Sequence, residues 1–168
     1  MPTRQGSHTV ILQNAPSVVG FAAVGSKKES EGPMAQYIDI LNQDSYFGQE
    51  TWEKAESQMQ KLAVEKALAK SALNPTDSHV AFAGDLLNQC IGGHFGLRDF
   101  GIPFMGVYGA CSTMAESLML SALFVESGAA DHALALTSSH FCTAERQYRY
   151  PLEYGSQRTP NSQWTVTG

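Results

Sequence analysis

Pro103-Phe-Met-Gly-Val-Tyr-Gly-Ala-Cys-Ser-Thr-Met114 joins a strand to a helix through a tight turn. It opens as a short apolar strand, Pro103–Tyr108, turns on Gly109-Ala110-Cys111, and runs into an apolar helix, Ser112–Glu126, that Ser127-Gly128 stops. A second buried strand precedes it, His79–Ala83, ending in Gly84-Asp85. Leu86–Ile91 then starts a helix that Gly92-Gly93 is expected to interrupt, and a third strand, His132–Thr137, follows the long helix. Strands alternating with helices predict parallel β-α-β units. Near-continuous apolar strands, and a helix as apolar as 112–126, predict burial on both sides of the sheet. The fold class is therefore α/β, a mostly buried mixed sheet around a central buried helix.

Upstream, Thr51–Leu73 has clear helical periodicity. Trp52, Ala55, Met59, Leu62, Ala63, Ala69 and Leu73 recur on one side, with Glu53, Lys54, Gln58, Lys61, Glu65 and Lys70 mostly on the other. Thr51 suits the N-cap, and Asn74-Pro75 ends the helix. Thr9–Gln13 reads as a first strand, Val18–Val24 as a small apolar stretch, and Ser26–Pro33 as a charged loop. Met34–Leu41 fits either a short helix or an irregular packed segment. Beyond Thr137 the pattern changes: Ser138–Gly168 carries His140, Glu145, Arg146, Arg149, Glu153 and Arg158 with little periodicity, as a functional loop would. Its close, Trp164-Thr-Val-Thr-Gly168, reads as the opening of another strand, so a fragment or a partner-completed fold is expected.

With 168 residues, 43% of them hydrophobic and 16% charged, the chain suits one domain with an ample core. A net charge of -5 and the lack of any basic run argue against nucleic acid as a partner. Three widely spaced cysteines, Cys90, Cys111 and Cys142, fit a reducing compartment better than a disulfide framework. The polar N-terminus lacks a signal-peptide core, and 115–125 is too short and too interrupted to span a bilayer. Any membrane association is expected to be peripheral.

The chemistry concentrates at Cys111. A cysteine at the first turn of a helix meets unpaired backbone N–H groups and the positive end of the helix dipole, which favour a thiolate or a bound anion. The plainer alternative is a small buried cysteine that only packs. Asp85 reads as a cap for the following helix. Cys90 and His94 stand four apart, but no further metal ligands converge on them. Gly92-Gly93 fits no nucleotide fingerprint, so neither a metal nor an organic cofactor is expected.

This turn, within its strand-helix-strand setting, resembles the nucleophile turn of the thiolase and ketoacyl-synthase superfamily. Gly84-Asp-Leu-Leu-Asn-Gln89, Gly109-Ala-Cys-Ser-Thr-Met114, Thr137-Ser-Ser-His140 and Thr143-Ala-Glu-Arg-Gln147 are similar to the stage V sporulation protein AD (SpoVAD) family. So are Arg149-Tyr-Pro-Leu-Glu-Tyr-Gly155, Trp164-Thr-Val-Thr-Gly168, Lys28-Glu29 with Glu31-Gly32-Pro33, and Trp52-Glu-Lys-Ala-Glu56. The resemblance implies a thiolase-like fold in two halves, of which residues 1–168 would be the first, lacking its last strand. It implies a non-catalytic protein that binds dipicolinic acid (pyridine-2,6-dicarboxylate) and supports its uptake into the developing endospore. Other SpoVA proteins at the inner spore membrane would be partners, and this protein would lie on the cytoplasmic side of, or peripheral to, that inner spore (forespore) membrane. A homodimer, or a second half in the same polypeptide, would complete the fold. The histidines that thiolases use for proton transfer belong to the second half. Acyl transfer with Cys111 as nucleophile is therefore the alternative rather than the first reading.

A dicarboxylate ligand gives roles to the loop. Arg146 and Arg149, three apart, share a face if helical and offer two guanidinium forks, or else pair with Glu145 and Glu153. His140, after Ser138 and Ser139 at a strand end, either donates to the ligand or satisfies a loop carbonyl. The candidate ligand-binding residues are thus Cys111, Ser139, His140, Arg146 and Arg149.

Overall fold

The structure is a computed structural model that describes residues 2–144. The elements in chain order are β1 (Thr3–Gln5), β2 (Thr9–Ile11), β3 (Val24–Gly25), α1 (Lys27–Ser30), β4 (Ile40–Leu41), α2 (Trp52–Ser71), β5 (Val80–Gly84), α3 (Ile91–Leu97), β6 (Phe104–Gly106), α4 (Thr113–Glu126), β7 (Ala133–Thr137) and α5 (Phe141–Ala144).

The main sheet has the order β6-β5-β7, all parallel, with Ala81 opposite Phe104 on one side and Leu134 on the other. Every residue of the central strand β5 is buried, as its unbroken apolar run requires. The two faces of β5 feed two cores. Ala81 and Ala83 pack with Val64 and Leu68 of α2 and Leu97 of α3. Val80 and Phe82 pack with Val107 and Ala130, covered by Leu120 and Phe124 of α4. The result is three layers, with α2 and α3 on one side and α4 on the other. The chain leaves β5 for one neighbour and then crosses to the other, so the strand order reverses about β5. In open α/β sheets the crevice at the carboxyl ends beside such a reversal is where ligands bind.

Helix α2 starts as the sequence predicts, the Thr51 side chain accepting from Lys54 N at 3.2 Å. It closes at Ser71 with Ala72 in the left-handed region. Three segments differ from expectation. The stretch Thr9–Gln13 is not a core strand: Thr9–Ile11 pairs antiparallel with Thr3–Gln5 in an exposed hairpin, which is the antiparallel part of the described structure. The charged stretch after Ser26 carries the short helix α1, and Met34–Leu41 divides into a 3-10 turn (Ala35–Tyr37) and strand β4, which pairs parallel with β3.

The third difference bears on the site. Gly92-Gly93 does not interrupt a helix but lies inside one, α3. Gly92, Gly93 and Gly96 are buried on the face that meets α2, and a Cβ on Gly96 would stand 2.7 Å from the Ser57 carbonyl. Packing two helix backbones this closely offsets the entropy cost of helical glycine.

Helix α4 rests on the sheet through Thr113, Ser117 and Ser121, which are buried. The Ser117 and Ser121 hydroxyls donate to the carbonyls of Leu136 (3.4 Å) and Leu134 (3.1 Å). Met114, Leu118 and Met119 of this helix are exposed, so among the described residues α4 itself is buried on one side only.

Candidate functional site

The carboxyl ends of the three main strands converge. Gly84-Asp85 follows β5, the Cys111 turn follows β6, and Ser138-Ser139 follows β7. Gly84 lets the first two ends close: a Cβ there would collide with the Val107 carbonyl and lie 2.8 Å from Thr113 Cγ2. The segment after β6 forms a 3-10 turn, Ala110–Ser112, that passes directly into α4. Ala110 sits in the left-handed region at φ 49°, a conformation that costs a non-glycine residue on the order of 1 kcal/mol or more and re-aims the chain at Cys111. The Ser112 side chain does not cap the helix. The Ser112 hydroxyl instead donates to the Gly109 carbonyl at 2.9 Å.

Cys111 is exposed and lines a cavity of about 610 Å³. Thr137, Ser138, Ser139, Gln60 and Asp85 line the same cavity, as do Glu29 and Met114. The cavity therefore unites two of the sequence candidates, Cys111 and Ser139. Among the described residues its charged members are both acidic, Glu29 and Asp85. Arg146 and Arg149 lie outside the described residues.

His140 follows Ser139 but does not line the cavity. It is fully buried, 5.5 Å from the Trp52 ring and stacked on Phe141 at 5.3 Å. Its Nε2 donates to the Ser45 carbonyl at 2.6 Å, and its Nδ1 accepts from Cys142 N at 3.2 Å. Both ring nitrogens are committed, which fixes the neutral tautomer. Burial holds its pKa below the ordinary histidine value. Of the two roles open to it, satisfying a loop carbonyl is the one observed.

Asp85 is buried and accepts from Leu87 N and Gly93 N, each at 2.8 Å, so it does cap the first turn of α3. Desolvation raises its pKa despite these donors. Cys90 and His94 do not meet. The Cys90 thiol donates to the Val107 carbonyl at 3.5 Å, and the His94 ring packs edge-on against Phe104.

Two residues of α2 were missed by the sequence reading. Glu56 and Gln60 are at most 1% exposed, on the buried face with Ala55, Met59 and Val64. Gln60 Nε2 donates to Ser138 Oγ at 2.6 Å, and Ser138 Oγ donates to Glu56 Oε1 at 2.7 Å. The other Glu56 oxygen bonds the Thr143 hydroxyl, which also stands 2.7 Å from the His140 carbonyl. Desolvation raises the Glu56 pKa above the usual glutamate value, and Asp85 adds to it. Their spacing was the available signal: residues 52, 55, 56, 59, 60 and 63 form one helical stripe, in which two polar members demand partners. Two further polar atoms here, Gln60 Oε1 and Ser139 Oγ, are buried without a hydrogen-bond partner among the described residues.

Comparison with known proteins places the chain. The family model for stage V sporulation protein AD matches residues 6–168. The stage V sporulation protein AD of Bacillus subtilis (strain 168) is 39% identical over 163 residues, which are 97% of this chain and 48% of that protein. The chain thus spans about half the length of that curated relative. Two solved structures share lower similarity. A priming β-ketosynthase from the R1128 polyketide biosynthetic pathway has a TM-score of 0.47 and 18% identity, covering 61% of this chain and 33% of its own. The 3-oxoacyl-(acyl carrier protein) synthase III of Xanthomonas oryzae pv. oryzae has a TM-score of 0.47 and 17% identity, covering 68% and 40%. On the family match, which runs through nearly every residue described above, the chain belongs to the stage V sporulation protein AD family.

Proposed function

We propose that the cavity beside Cys111 is a non-catalytic binding site for dipicolinic acid, in a protein that supports the uptake of this ligand into the developing endospore. The observation that carries the reading is the convergence of three parallel strand ends on one cavity with Cys111 at a helix entrance. Backbone N–H groups at the start of α4 suit a carboxylate. The hydroxyls of Thr137, Ser138 and Ser139 add neutral polar groups. Polar atoms left without partners at Gln60 and Ser139 fit a region specialised for something other than stability. Because Glu29 and Asp85 contribute no positive charge, the second ligand carboxylate falls to Arg146 and Arg149, each a bidentate fork. Other SpoVA proteins at the inner spore membrane would receive the ligand. Among the described residues no helix is long and apolar enough to cross a membrane.

Calorimetric titration of the full-length protein with dipicolinate tests this. Saturable binding that weakens at least tenfold in Arg146→Ala or Arg149→Ala is expected, and no saturable binding at millimolar ligand overturns the reading.

A second reading, acyl transfer through Cys111, draws on the exposure of that thiol after a left-handed residue. It needs a base, and His140 has both nitrogens engaged elsewhere. Incubation with acyl-CoA followed by intact-mass measurement separates the two, since an adduct lost in Cys111→Ser would favour transfer.

A further inference from the structure

Glu56 does not itself line the cavity, yet it holds one of its walls. Ser138 lines that cavity and donates to Glu56 Oε1 at 2.7 Å. The opposite oxygen meets Thr143 Oγ1 on α5, and Thr143 Oγ1 also lies 2.7 Å from the His140 carbonyl. One carboxyl on α2 therefore grips both ends of the segment 138–143.

The proton count in this cluster is informative. A threonine hydroxyl has a single proton. Spent on an ionised Glu56, it would leave Thr143 Oγ1 and the His140 carbonyl as two acceptors face to face. With Glu56 protonated, each contact has its own proton: Glu56 O–H donates to Thr143, Thr143 donates to the His140 carbonyl, and Ser138 donates to the remaining Glu56 oxygen. Ser138 in turn accepts from Gln60 Nε2. The chain of bonds then has one direction throughout and no proton missing.

We propose that Glu56, held as a neutral carboxylic acid, is the positioning residue of the Ser138-Ser139 wall, and that its ionisation releases the wall and weakens ligand binding. The inference rests on the dipicolinate reading for its ligand and on the proton count for its mechanism. On ionisation the Glu56 proton passes to solvent, the donor to Thr143 is lost, and a buried negative charge appears behind a cavity that takes an anion. The titratable groups facing Glu56 do not offset this charge. Asp85, from the end of β5, carries the same sign and has His94 of α3 in its own surroundings. From the 138–143 segment, His140 gives its backbone N–H, while its neutral ring faces Ser45 and feels Glu53 of α2. Desolvation pushes Glu56 towards the protonated form, in agreement with the proton count.

Two measurements on the full-length protein test this, each across pH 6 to 9 with wild type, Glu56→Gln and Glu56→Ala. Glutamine copies the neutral acid, with an N–H donor for Thr143 and a carbonyl acceptor for Ser138. The first is hydrogen exchange of residues 138–143, corrected for the intrinsic pH dependence. Opening of this segment should increase with pH in wild type, stay level in Glu56→Gln, and be high throughout in Glu56→Ala. The second is dipicolinate titration. Wild-type affinity should fall as Glu56 ionises, by up to about tenfold per pH unit, the limit set by linkage to one proton, while Glu56→Gln shows no such limb. Parallel pH profiles for wild type and Glu56→Gln in both measurements, or loss of segment order in a folded Glu56→Gln, overturn the inference. If exchange behaves as expected and dipicolinate never binds, the ligand reading fails and the positioning role stands.

Discussion

At Glu56 and His140 two buried titratable side chains must both be neutral, and this gives stability a shape against pH. Glu56 has a folded-state pKa raised by desolvation. Its contribution is fully present below the unfolded glutamate pKa and is lost as pH rises through the raised value. His140 has its pKa lowered by burial, so its contribution is present above the unfolded histidine pKa and is lost as pH falls through the lowered value. Melting temperature against pH should therefore decline on both sides of an optimum, and Glu56→Gln should flatten the alkaline side alone. A steeper alkaline decline in Glu56→Gln would contradict the assignment. Glu56→Ala leaves Ser138 and Thr143 without a buried partner and should cost about 1–3 kcal/mol, measured by urea unfolding. The helical stripe could place Glu56 on the buried side, but its protonation was not legible in the sequence, because the segment it binds lies 82 to 87 residues further on. The ring direction of His140 was equally unreadable, because it depends on a carbonyl 95 residues away.

Among the elements, α2 was readable because its period and its Thr51 cap agree, and the β5 to β7 repeat because apolar runs alternate with turn residues. Helix α3 was misread. Gly92-Gly93 looks like a helix breaker in isolation, whereas against α2 the same residues are the contact surface. Gly96→Ala should then cost about 1–3 kcal/mol by overpacking against the Ser57 carbonyl, although alanine is the better helix former. A stabilising Gly96→Ala in chemical denaturation would show that the two helices do not meet closely. Helix α4 mixes two kinds of contact, since the hydroxyls of Ser117 and Ser121 meet the sheet beside the apolar Leu120 and Phe124. Ser117→Ala should remove only about 1 kcal/mol, because the bond it loses, to the Leu136 carbonyl at 3.4 Å, is long.

Across the whole molecule, two cores share the single buried strand β5, and the N-terminal arm is tied to the far end of α4. There Glu126 accepts from Gln13 N at 3.0 Å and Asn14 N at 2.8 Å. The cavity beside Cys111 lies at the opposite end of the sheet from His79 and His132, which stand at the start of β5 and β7. The outer face of α4 carries Met114, Leu118 and Met119 into solvent, and Met114 also lines the cavity. Exposed as it is, Leu118→Ala in this chain alone should cost less than about 0.5 kcal/mol, within the range of surface substitutions. A loss of several kcal/mol in thermal unfolding would mean that a second copy covers this face in solution. The strand-helix alternation made the layers legible from the sequence, but not the exposure of this face among the described residues, because periodicity reports an apolar surface without reporting what meets it.

Site-resolved alkylation of the native protein, read by mass spectrometry with and without dipicolinate, tests most directly that the thiol at the α4 entrance opens on the ligand cavity. Cys111 should react first and Cys90, sealed against Val107, last, and dipicolinate should slow the Cys111 reaction saturably. Cys111 reacting no faster than Cys90, or at a rate indifferent to saturating dipicolinate, would contradict it.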